Sequence, residues 1–127
     1  MSAILKQNPA ANNQSLVLTK ALMRAAERLS VPSSLLSSII GLSEATLSRM
    51  KNGRYHLEPG SKPYEISLLF VRLFRSLDAI VGGDDGVAAA WLQNSNAALN
   101  GVPAQKIRSI AGLVDVLGYL DARRALV

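Results

Sequence analysis

The chain has 127 residues, one histidine, no cysteine and a formal net charge of +5. That length supports one compact domain or two small helical ones with a real core, and the absence of cysteine excludes disulfides and thiolate metal sites, in keeping with a cytosolic protein. Aliphatic residues and Ala dominate, aromatics are few and β-branched alternation is nearly absent, so the expected class is all-α.

The excess of Lys and Arg favours polyanionic partners through counterion release. It is supporting evidence only, since many domains of this size are as basic. No long apolar run follows the early Lys6, so no signal peptide is expected, and no apolar stretch is long enough to span a bilayer. A cytoplasmic location is the expectation.

Residues 1–15 are rich in Asn, Gln, Pro and Ala with little pattern and read as a tail, from which Lys6 can reach a phosphate. From Leu16 the pattern turns helical: Leu18, Leu22, Ala25, Ala26 and Leu29 line one face, and Lys20, Arg24, Glu27 and Arg28 the other. This helix is expected to pack behind the stretch that follows.

The stretch from Pro32 to Gly53 reads as two short helices joined by a turn. Pro32 suits a helix's first turn, and Leu35, Leu36, Ile39 and Ile40 recur at helical spacing. Gly41 falls where the chain must turn sharply. Leu42 can plug the space between the helices, and Ser43 can accept the first free N–H groups of the second one. Leu47 and Met50 point inward there, while Glu44, Ala45, Ser48, Arg49 and Asn52 face out. Asn52-Gly53 is a stop signal.

The segment RYHLEPGSKP is a loop by composition, with Arg54, Tyr55 and Lys62 able to approach phosphates. His56 has no cysteine or second histidine with which to share a metal. Pro63 to Val81 is the most strongly helical segment, with Ile66, Leu69, Phe70, Leu73, Phe74, Leu77 and Ile80 recurring at three and four, and Leu68 and Val71 widening the stripe. An arc that wide predicts two buried faces, one of them against a second domain or a partner subunit. Gly82-Gly83 ends the helix, and Asp84 or Asp85 can cap the next.

Three short helices follow by spacing. Trp91-Leu92 closes one, NSNAALNG is a connection, Pro103 starts another, and Gly112 lies near the start of a last one with Leu113, Val116, Leu117 and Leu120 inward. Trp91 reads first as a core anchor of a small domain.

Gly41 at the turn, Leu42 after it, Leu47-Ser48-Arg49 in the second helix and Gly53 at its close resemble the helix-turn-helix of the Xre (phage-repressor-like) family. Ser37 departs from that pattern, since the family usually has Ala there, and its hydroxyl needs a partner. Trp91-Leu92, then Asn96, Leu99 and Gly101, then Pro103 with Ile107, and finally Gly112 before Val114 and Leu117, resemble the C-terminal toxin-binding domain of Xre/MbcA/ParS-type antitoxins. Ile107 stands where Leu is common, and Ala111 where an acidic or small polar residue is. The expected divisions are a tail at 1–15, a helix-turn-helix domain at 16–62, a connecting and dimerisation helix at 63–82 and a toxin-binding domain at 83–127.

The resemblance implies an antitoxin that covers the NAD-binding cleft of a RES-domain toxin, an enzyme that consumes NAD or uses it to modify proteins, and that represses its own promoter as a dimer. It implies no cofactor and no catalytic group. For DNA the expected residues are Ala45, Ser48 and Arg49 at base edges, with Ser43, Lys51, Asn52 and Arg54 on phosphates. For the toxin they are Tyr119, Asp121, Arg123, Arg124, Leu126 and Val127, the arginines because guanidinium groups can occupy phosphate or carboxylate positions. Arg123 and Arg124 equally suit a helix C-terminus with no further role. A stand-alone Xre-family repressor with an oligomerising C-terminal domain shares every feature of the first half. A small enzyme is disfavoured: there is no Gly-rich phosphate loop, and capping explains Asp84-Asp85.

Overall fold

The computed structural model of the chain describes residues 12–126, and these form helices α1 (Asn13–Arg28), α2 (Ser33–Ile40), α3 (Glu44–Lys51), α4 (Lys62–Ile80), α5 (Asp85–Gln93), α6 (Pro103–Lys106) and α7 (Ile110–Arg124). No strand occurs among the described residues, and the all-α expectation holds. Lys6, most of the expected tail and Val127 lie outside the described residues.

Polar residues set the helix starts. The side chains of Asn12, Ser43, Ser61, Asp84 and Ser109 each accept a backbone N–H at the head of α1, α3, α4, α5 and α7, a contribution of about 1 kcal/mol apiece. Asn12 also corrects an expected boundary: α1 begins at Asn13, ahead of Leu16, and Ser15 is buried inside it. The physical reason is a long-range clamp. Ser15 Oγ donates to the Leu57 carbonyl, and the Leu57 N–H donates to Thr19 Oγ1 at 2.9 Å. With both backbone groups satisfied, Leu57 can bury its side chain (1% exposed) and pin the loop after α3 against α1.

Helix α4 is the spine. It packs most extensively on α7 and also against α1, α2 and α5. Its buried residues, among them Phe70 and Leu73, belong to the same hydrophobic cluster as Leu22 and Ile40 on one side and Leu92, Ile107 and Val116 on the other. The helix expected to connect two domains is therefore the wall they share. Ser67, fully buried on this helix, has a hydroxyl with no hydrogen-bond partner among the described residues.

The C-terminal helices close around a tight corner. Asn96 and Gly101 form an isolated antiparallel bridge, and Asn96 Oδ1 accepts from Leu99 N at 3.1 Å. Leu99 and Leu92 are buried, whereas Trp91 is half-buried and stacks on Tyr119 with ring centroids 6.2 Å apart. The core anchor is thus Leu92, and Trp91 packs over it from the rim. At the α6–α7 corner, a Cβ on Gly112 would lie 1.9 Å from the Lys106 carbonyl oxygen. Only glycine permits that approach.

Arg28 joins the two halves from outside the core. Its guanidinium lies 2.9 Å from both Asp78 and Asp85 and 4.8 Å from the centre of the Phe74 ring. The Asp85 hydrogen bond leads in holding Arg28 protonated above its ordinary range, against the opposing pull of desolvation and with the Asp78 and Asp85 charges adding to it. Asp84 takes the cap of α5, which leaves Asp85 free for this contact.

Candidate functional site

Helices α2 and α3 have the geometry of a helix-turn-helix. Gly41 takes the left-handed conformation (φ 85°) that ends α2, and its N–H donates to the Ser37 carbonyl at 2.9 Å. The Ser37 hydroxyl donates to the Leu42 carbonyl at 2.6 Å. The departure from Ala at position 37 is therefore a fastening of the turn, and the hydroxyl has its partner.

Leu47 and Met50 anchor α3 in the core, and Ala45, Ser48, Arg49, Lys51 and Asn52 are exposed on it. Arg54, just past its end, is exposed too, and its N–H donates to the Arg49 carbonyl at 2.7 Å. Ser43 is an N-cap whose Oγ accepts from Thr46 N at 3.1 Å and meets Thr46 Oγ1 at 3.0 Å. Arg49 Nη2 donates to that same Thr46 Oγ1 at 3.0 Å. Thr46 was not expected to matter, yet it holds the one arginine aimed outward from the middle of α3. Its spacing of three from both Ser43 and Arg49 was the available signal.

Basic side chains extend this surface. Lys20 and Arg24 of α1 and Lys51 of α3 line one cleft together with Pro32 and Ser33 at the head of α2, and α2 has no side-chain cap on its first N–H groups. Positive charge beside free N–H groups suits a phosphate. Tyr55, half-buried at the edge, has its phenol pushed above its ordinary range, first by burial and then by Glu58, with Arg49 opposing.

The residues expected at the toxin are distributed differently from one another. Asp121 turns back on α4: Oδ2 is 2.9 Å from Arg72 Nη2, and Oδ1 accepts from Ser76 Oγ at 2.8 Å. Arg124 also reaches Ser76, at 3.5 Å. Tyr119 lies between Trp91 and Arg123, whose guanidinium donates to the phenol at 2.9 Å and sits 5.8 Å from the ring centre. Arg123 and Leu126 are exposed. Among the described residues no group of acidic, histidine or cysteine side chains is placed to hold a metal. No helix among the described residues is long and apolar enough to cross a membrane.

A helix-turn-helix with an exposed polar second helix, built on one core with a separate helical module, defines a DNA-binding regulator with a second interaction domain. Residues 11–75 match the family described as Antitoxin Xre-like helix-turn-helix domain, and residues 76–125 match the Antitoxin Xre/MbcA/ParS C-terminal toxin-binding domain. The chain belongs to the Xre-like antitoxin family, whose domains are regulatory and not enzymatic. No curated protein matches it.

Proposed function

We propose that this chain neutralises a RES-domain toxin, an NAD-consuming or ADP-ribosylating enzyme, by covering its NAD-binding cleft, and that a homodimer represses the shared operon from the cytoplasm. The observation that carries the reading is the order of the two matched domains on a single core. Obstruction of a cleft needs a rigid surface and no chemistry, which fits a module held by the Gly112 corner and the α4–α7 packing. Of the charged residues near the C-terminal end we assign Arg123 to a dinucleotide site: it is exposed and engages Tyr119 of its own helix, whereas Asp121 and Arg124 engage α4.

On DNA, Arg49, Ser48 and Ala45 face base edges in the major groove, and Ser43, Lys51, Asn52 and Arg54, with Lys20 and Arg24, meet phosphates. One helix-turn-helix reads few bases, so two copies on a palindrome are required. The α1–α4 groove suits the dimer contact: a cleft of about 900 Å³ whose lining includes the exposed Val17 and Leu68, with Glu65, Arg72 and Arg75 around them.

Co-expression with a RES-domain toxin, sought in the reading frame next to this chain's own, tests the reading. Relief of growth inhibition, and co-purification of the two proteins, is the expected result. Operator binding without any toxin association would establish the stand-alone repressor instead.

A further inference from the structure

A helix that rests on a core with one face normally gives charged residues to the other. α1 largely obeys this, with Lys20, Arg24 and Glu27 outward and Val17 its exposed apolar exception. α7 does not. Opposite its buried face of Leu113, Val116, Leu117 and Leu120 it exposes Ile110, Ala111, Val114, Gly118 and Ala122. Ile110 and Val114 are each 51% exposed, values otherwise expected of polar side chains. Asp115 and Asp121 are the acids beside this strip, and each is paired, with Lys106 at 3.0 Å and Arg72 at 2.9 Å.

Gly118 sharpens the case. A glycine inside a helix costs roughly 0.5–1 kcal/mol relative to Ala. Gly112 has an internal reason for that cost, since a side chain there would strike the Lys106 carbonyl. Gly118 has none: an added Cβ meets no atom within 4 Å, and the residue is exposed. A bare patch of helix backbone between Val114 and Ala122 lets another surface approach closely.

The family match supplies a candidate occupant. The strip falls within residues 76–125, the toxin-binding domain, as does the exposed Val87. We propose that the outward face of α7, centred on Val114 and Gly118, is the surface onto which the toxin body docks, with Arg123 at its far end directed to the cleft. This rests on the antitoxin reading and deepens it: affinity comes from an apolar helix face and obstruction from the end of that helix.

The test uses the full chain and the RES-domain toxin of the co-expression experiment, with Val114→Asp and Gly118→Leu. Val114 and Gly118 are exposed, so neither variant is expected to melt below the wild type, and both should shift operator DNA normally. Toxin affinity is expected to fall by about tenfold or more in each. Gly118→Ala provides a second measurement: it raises the melting temperature of the free chain while weakening toxin binding. Wild-type affinity for the toxin in all three variants would overturn the docking face while sparing the antitoxin reading. Loss of dimerisation with toxin affinity unchanged would overturn it in favour of a second copy on this face. If the wild-type chain itself fails to bind the toxin, the antitoxin reading falls and the docking face falls with it.

Discussion

Arg49 donates to Thr46 Oγ1 one turn earlier on α3, and the threonine is held in turn by the Ser43 cap. The outward guanidinium is thereby ordered before DNA arrives, which reduces the entropy lost on binding. Arg49→Ala is expected to weaken operator binding by about 1–3 kcal/mol, the worth of a good base contact. Thr46→Val keeps the β-branched shape and removes only the acceptor, so a loss of about 0.5–1.5 kcal/mol is expected. Band-shift titrations at fixed salt measure both, and toxin neutralisation should be unaffected in either.

Tyr55 gives the fold an alkaline limit. Its phenol in the folded chain titrates above the ordinary value because of burial, whereas in the unfolded chain it titrates near about 10. Below that pH both states keep the proton and stability does not change with this group. As pH rises past the unfolded value, the unfolded chain releases its proton first and stability falls until the folded phenol ionises. Denaturant melts between pH 9 and about 12 should show this decline, and Tyr55→Phe should flatten the part of it that is specific to this site.

Ser67 carries a stability cost that can be removed. Its hydroxyl is buried without a partner, and such a group costs about 1–3 kcal/mol. Ser67→Ala is expected to stabilise the chain by about 1 kcal/mol, a rise of a few degrees in Tm by calorimetry. A decrease would mean that the hydroxyl is satisfied.

Gly112→Ala tests the opposite extreme. The new methyl group would collide with backbone at Lys106, and no flexible side-chain end is there to yield. Destabilisation of about 2–4 kcal/mol is expected in chemical denaturation, with toxin association lost first because the α6–α7 corner opens.

Much of this structure was legible because the deciding signals are local. Gly41, the Ser43 cap, and the inward Leu47 and Met50 lie within one short stretch, and their spacing alone placed them. The outward Ala45, Ser48 and Arg49 followed from the same spacing. What was not legible depends on residues far apart in sequence. Ser15 resembled part of a tail until Leu57 was beside it, and Asp121 resembled a free surface acid until Arg72 and Ser76 were opposite. The short helix from Pro103 and the position of Gly112 near the start of the last helix were readable from residue type, while the collision that makes glycine necessary was not. The apolar outer face of α7 was in the sequence throughout, but only once Leu113, Val116, Leu117 and Leu120 were seen to point inward could Val114 and Gly118 be assigned to the other side.

Because α4 is the shared wall of a single core, a cut between the two halves leaves neither intact. A cut that frees the C-terminal helices would strip cover from α4, the helix that also packs against α1 and α2. Degradation should therefore be all-or-none, without a surviving fragment that still grips the operator. Repressor and neutraliser would then share one lifetime, and their decay would lift both restraints together.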